Sequence, residues 1–382
     1  MKKLLTTQQA GLIIILFTVA LKLSVLPAMM YDYSGSNSYI TCLIALGFDL
    51  IFTIVILVIM KKMPNITFFE LITKTLSKPV AIIIYIFLYL YFFVKALITF
   101  LELHDYFIAS LFEELNPIFF LITLIPLLMY LFRRDFRNLG RVLQICFWPV
   151  ALGLTFTLIY PVQDMELTNL LPLFQDGFYP IYRGLSHTTF AFGDHIILLM
   201  LMGHIKYEKN TTKKLLFYTT TALGFVFNFF VVFVGSFGET AVNQTLALGE
   251  LPLHNPYPAT IGRLEWLTII IWTAILLIQG ALLGNCCTKC FRYIFGFNDN
   301  KVPSIITSIF IIVALTTTYL QLENVLKLVT SIPFITISGI FHTLLVILLV
   351  IGYFIQKRKS NTSFKTSKSP TNKTSQEVKN QC

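Results

Sequence analysis

Charge is what this sequence is short of. Asp, Glu, Lys and Arg make up 13% of the residues against 56% hydrophobic ones, and the mean hydropathy is +0.75. A water-soluble domain carries about 25% charged residues, so that class is excluded and a polytopic helical membrane protein is expected. Acids are the scarcer sign, 19 against 29 bases, for a net charge of +10. A basic excess can serve nucleic acid. Here the bases sit in short loops between apolar spans, where they orient a membrane protein, so no nucleic-acid partner is expected. No cleavable signal peptide is expected. The first apolar span is long enough to cross and lacks a small-residue cleavage site. Cysteines are few: Cys42, Cys146, Cys286, Cys287, Cys290 and Cys382. Three of them cluster at a span end, but no second cluster completes a zinc site, so they read as free membrane thiols. No metal or cofactor is implied. Hydrolase signatures are absent as well. There is no Gly-x-Ser-x-Gly elbow and no His-Glu-x-x-His, although His187, His195 and His204 share one span. No enzyme is expected.

What is present is a series of apolar runs. They fall near residues 10–30, 38–60, 80–103, 117–132, 142–160, 184–205, 215–238, 267–287, 303–322 and 333–355. Each can cross about 30 Å of hydrocarbon at helical rise. With the N-terminus inside, 24 of the 29 basic residues fall in inner segments. The outer loops then hold Arg183, Arg263 and Lys327 against eleven acids. That alternation supports ten helices with both ends cytoplasmic. The expected organisation is a ten-helix membrane domain over 1–356 and a disordered basic cytoplasmic tail over 357–382, close to anionic lipid. Five helices per half is an odd number. A second half of like fold must then be inverted, with repeats over about 10–160 and 184–355. Residues 64–78 read as a short amphipathic helix on the inner surface. The outer loop from Glu239 to Leu264, with Pro252, Pro256 and Pro258, is either a lid or partner surface or a passive connection.

Two spans are interrupted at matching places. Helix one carries Lys22-Leu23-Ser24-Val25-Leu26-Pro27, a charge, a hydroxyl and a helix-breaking proline. Helix six carries Phe190-Ala191-Phe192-Gly193-Asp194, where glycine weakens helix beside a charge. Paired interruptions point to a transporter-type binding site. Four charges lie well within spans: Lys22, Asp49, Lys95 and Asp194. Counted from the outer helix ends they sit roughly 12–17 Å deep. The expected pairs are Lys22 with Asp194 and Asp49 with Lys95, since unpaired charge there is costly. Such pairs either lock helices together or couple to a ligand or proton. His195 is a proton-sensitive neighbour of Asp194. Glu102 and His104 read as solvated at the interface. Broken helices suit a zwitterion: freed N–H groups take a carboxylate, and freed carbonyls with an acid take an ammonium. Lys22, Ser24, Val25, Thr189, Phe190, Phe192, Gly193 and Asp194 are the expected ligand contacts. Asp49, Lys95 and His195 form an accompanying charge network.

Further short matches run the length of the chain in order: Thr7-Gln8-Gln9, Leu26-Pro27, Met63-Pro64, Gly140-Arg141, Asn169-Leu170-Leu171-Pro172, Phe192-Gly193-Asp194 and Gly262-Arg263-Leu264-Glu265. With the ten-span pattern, the chain resembles the B subunit of Ger-type nutrient germinant receptors of endospore-forming bacteria. These belong to the amino acid–polyamine–organocation transporter superfamily. The resemblance covers about residues 5–356. It implies a LeuT-like inverted repeat and a sensor in the spore inner membrane. Such a sensor binds an amino-acid-like germinant and signals to partner A and C subunits. It departs from the family pattern where Lys22 and Ser24 replace small residues of the first break, and where Asp194 stands for a common Glu. The alternative is a free-standing proton- or sodium-coupled amino-acid transporter, separated from the sensor only by net flux.

Overall fold

The computed structural model describes residues 4–110, 117–174, 177–253, 264–320 and 331–366. The middle of the outer loop (254–263, with Pro256, Pro258, Gly262 and Arg263) and the tail from 367 lie outside the described residues.

The described chain is all-helical; its one β-type contact is an isolated bridge between Leu5 and Ile205. The helices are α1 Thr7–Ala20, α2 Val25–Ser34, α3 Ser38–Lys62, α4 Phe68–Thr75, α5 Lys78–Ser110, α6 Pro117–Phe132 and α7 Phe136–Ile159. They continue as α8 Tyr179–Thr188, α9 Ile196–Leu201, α10 Thr211–Phe237, α11 Ala247–Glu250, α12 Leu264–Phe295, α13 Lys301–Leu320 and α14 Ile332–Thr366. Among the described residues, seven helical runs are long and apolar enough to cross a membrane. That makes the chain a multi-pass membrane protein. The other expected spans are not continuous helices of that length. Runs 10–30 and 184–205 are each broken, and 117–132 is a 16-residue helix. The last helix continues to Thr366 and takes in the first ten residues of the expected tail. Membrane-facing sides show themselves as apolar side chains exposed on the protein surface, among them Ile145, Trp148, Ile270 and Val313.

Local chemistry places both breaks. α1 begins at a capping box: Gln9 N–H donates to Thr6 Oγ1 at 3.2 Å, and Thr6 N–H donates back to Gln9 Oε1 at 3.1 Å. α1 ends at Ala20, and helix cannot run unbroken from there through residue 27 because Pro27 has no N–H to return to the Leu23 carbonyl. The helix can restart only where Pro27 falls in a first turn, and α2 restarts at Val25. In the second break, α8 ends through a short 3-10 turn at Thr189–Ala191, and Gly193 adopts φ +86. That left-handed backbone is open to glycine and strained for other residues.

The two broken elements are tied to each other at both ends. Leu5 N–H donates to the His204 carbonyl at 2.8 Å and Lys206 N–H donates to the Leu5 carbonyl at 2.9 Å, which joins the start of α1 to the end of α9. At the far end α2 packs on α8. There Ser34 Oγ donates to the Pro180 carbonyl at 3.2 Å, and Gly184 leaves no room for a Cβ beside Ser34. Around this pair lie α3, α7, α10, α12 and α14, and α5 reaches the second break through Tyr91 and Lys95. The amphipathic segment forms α4, opened by a Thr67/Glu70 capping box. Its apolar face is covered by protein: Phe69 stacks on Tyr293 at 4.0 Å and lies edge-on to Tyr85 at 4.9 Å.

Candidate functional site

The interior of the molecule holds an ion cluster between the breaks. Lys22 leaves the end of α1 fully buried. Its ammonium pairs with Asp194 and donates to the Thr18 carbonyl at 3.2 Å, one of the acceptors orphaned where α1 ends. Lys95, from the middle of α5, donates to the other Asp194 oxygen at 3.3 Å and to the Phe192 carbonyl at 3.1 Å. Asp194 is therefore shared by two cations. The expected Lys22–Asp194 contact is present, whereas the expected Asp49–Lys95 pair is not. Asp49 instead accepts from Gly193 N–H at 3.0 and 3.3 Å and faces His195 Nδ1 at 3.0 Å. Residue counting gives depth along a helix but not its azimuth, so the levels were legible and the partners were not.

The cluster satisfies the backbone freed by the second break. Gly193 N–H goes to Asp49, the Phe192 carbonyl to Lys95, and the Gly193 carbonyl accepts from Tyr91 Oη at 3.1 Å. The Gly193 N–H and the Phe192 carbonyl would otherwise be buried orphans, whereas the Gly193 carbonyl also accepts from Ile196 N–H at 3.1 Å. Aromatic faces line the cations: Phe192 lies 5.2 Å from the Lys22 ammonium, and Phe17 and Tyr91 lie 5.3 and 5.1 Å from that of Lys95. Phe192 is thus a partner of Lys22 as well as a wall of the site.

The other expected contacts divide. Thr189 Oγ1 donates back to the Leu185 and Ser186 carbonyls, closing the end of α8. Phe190 lines an apolar cavity of about 160 Å³ together with Tyr91, Lys95 and Phe341. Ser24 Oγ is buried and makes no hydrogen bond. The carboxyl group of Glu102 on α5 lies near Val25 N–H, the first donor of α2.

Glu102 and His342 were not singled out by sequence. Glu102 was expected to be solvated with His104, yet both are buried, at 6% and 2% exposure. The reason is the length of α5, whose 33 residues carry Glu102 beneath the outer turn of the helix. Its second oxygen has no partner. His342 on α14 stands over Gly193: a Cβ at Gly193 would come within 2.5 Å of its ring. It is 6.0 Å from the His195 ring and edge-on to Tyr91 at 5.3 Å. A histidine in an otherwise apolar run is the same signal that marked Lys22.

Chemically, the site is a neutralised set of two lysines and two aspartates, with His195 and His342 alongside. It lies across two helix interruptions inside a multi-pass membrane protein. That combination defines a permease-like protein with an interior polar site. The chain belongs to the spore germination protein family, whose model matches residues 4–324. Among its relatives is the spore germination protein YndE of Bacillus subtilis (strain 168), 24% identical over 294 residues, which cover 73% of this chain and 80% of YndE. Another is the spore germination protein GerQB of Bacillus cereus, 25% identical over 162 residues, 42% of this chain and 44% of GerQB.

Proposed function

We propose that this chain is the nutrient-sensing subunit of a spore germinant receptor. It binds a small zwitterion of amino-acid type at the two helix breaks and signals to partner A and C subunits. The reading takes the ten spans as two inverted five-helix repeats of the transporter superfamily, with both termini in the cytoplasm and the protein in the spore inner membrane. It assigns no catalytic step to the chain.

The observation that carries this reading is the shared carboxylate. Lys22 and Asp194 close across the two breaks as a buried pair. A zwitterion can enter between them with its ammonium on Asp194 and its carboxylate on Lys22. The exchange leaves the buried net charge unchanged, so the ligand meets its desolvation cost with matched partners. Lys95 holds Asp194 from the other side and keeps it oriented. Because α1 and α8 carry the two halves of the pair into the breaks, separating them by a ligand's width biases a rocking element toward one of two states. The population shift is set by the differential affinity of the ligand. Lysines in place of exchangeable cations also fit a protein that binds without pumping.

The test is genetic. Spores carrying Asp194→Asn or Lys22→Met as their only copy should lose the response to this receptor's germinant while the protein remains in the membrane. A normal response in both variants overturns the site. A free-standing transporter uses the same pocket and is favoured instead if the wild-type chain accumulates substrate.

A further inference from the structure

Apart from the ion cluster, a polar cavity lies where the end of α6 meets the start of α13. It encloses about 890 Å³ and is lined by Pro126, Met129, Tyr130, Arg134, Lys301 and Ile305, with Arg133, Asp135, Asn138 and Ser304 completing the rim. Three cations therefore face one acid. The ion pairs identified in the described structure involve none of the three. The Arg134 guanidinium lies over the Tyr130 ring, 3.9 Å from its centre. Its backbone is fixed too, because Asn285 of α12 donates to the carbonyls of Phe132 and Arg134. Pro126, Met129 and Ile305 make part of the wall apolar. Tyr130 and Ile305 are also open to the protein's outer surface, at 58% and 45% exposure.

A net cationic cup beside an apolar wall that reaches the protein's outer surface at Tyr130 and Ile305 matches an amphiphile with an anionic head. Arginine forks suit phosphate oxygens, lysine adds a point charge, and basic pockets between membrane helices hold acidic lipid headgroups. We propose that the α6–α13 cavity binds the phosphodiester headgroup of an anionic phospholipid, with the acyl chains lying along Met129 and Ile305. The charge complementarity favours this occupant over a neutral lipid, and the apolar wall reaching the outer surface favours it over a soluble anion.

The experiment places the full chain in nanodiscs of phosphatidylcholine doped with phosphatidylglycerol and reads lipid retained on the protein by native mass spectrometry. Wild type should retain phosphatidylglycerol over phosphatidylcholine by at least about tenfold. Arg133→Gln/Arg134→Gln/Lys301→Gln should abolish that preference. Lys301→Gln alone, a single exposed change at the start of α13, should reduce it, and Asp135→Asn should raise it. Equal retention of both lipids by wild type, or an unchanged preference in Lys301→Gln and in the triple variant, overturns the proposal. Displacement of phosphatidylglycerol by millimolar inorganic phosphate would reassign the cup to a soluble anion and overturn the lipid as its occupant.

Discussion

Replacing Asp194 by Asn is the perturbation whose consequences the structure fixes most tightly. The carboxylate bridges Lys22 and Lys95, both within 3% exposure. The asparagine keeps the shape and one acceptor but removes the charge. Two ammonium groups are then left inside the membrane domain, while Asp49 remains engaged by Gly193 and His195. Removing one partner of a buried pair costs about 3–5 kcal/mol, and sharing by two cations puts this site toward the upper part of that range. At about 1.4 kcal/mol per tenfold, the folded population falls by a factor of roughly a hundred to a few thousand relative to its alternatives. The assay is denaturant unfolding of purified protein in one detergent, for wild type, Asp194→Asn, Lys22→Met and the double variant. Lys22→Met in the Asp194→Asn background removes one of the two orphaned cations. The double variant should therefore be more stable than Asp194→Asn alone, with a coupling of at least about 2 kcal/mol. Additive effects, or a loss below about 1 kcal/mol in Asp194→Asn, would refute the shared-carboxylate reasoning.

Other substitutions probe the parts around that pair. Gly193→Ala forces a non-glycine residue to φ +86 and drives a methyl group into His342, 2.5 Å away. The backbone strain alone costs about 1–2 kcal/mol, and thermal unfolding should show a loss larger than that. Gly193→Ala/His342→Ala should recover the steric share. Glu102→Gln keeps an acceptor for Val25 N–H and should leave stability within about 1 kcal/mol of wild type, whereas Glu102→Ala strands that donor and should cost about 1–3 kcal/mol in the same assay. Thr67→Ala removes the cap of α4 and should lower stability by about 1 kcal/mol, with no effect on ligand response.

Much of the central site could be read from the chain because the bilayer penalises charge. Lys22 and Asp194 stand out in apolar runs, and Pro27 and Gly193 mark the helix interruptions beside them. What could not be read is how helices turn about their own axes. Asp49 and Lys95 have matching depth, yet Lys95 joins Asp194 and Asp49 joins His195. Glu102 was misplaced because α5 is longer than the apolar run that announced it, so a residue that looked terminal is interior. The roles of Lys95 on the freed carbonyl of Phe192 and of Tyr91 on that of Gly193, which Ile196 N–H also reaches, depend on α5 lying against the second break. No local pattern encodes that packing. The last helix outran its apolar segment for a related reason. Its polar continuation over 357–366 contains no proline or glycine, so nothing local ends the helix before Thr366.

The most direct test of sensing is to measure binding and uptake on one sample. Purified wild-type protein in proteoliposomes would be offered a panel of radiolabelled amino acids, with and without imposed proton and sodium gradients. The account predicts saturable binding of at least one amino acid, lost in Asp194→Asn, with no accumulation in the lumen under either gradient. Gradient-driven accumulation by wild-type protein would contradict it and assign the chain to transport.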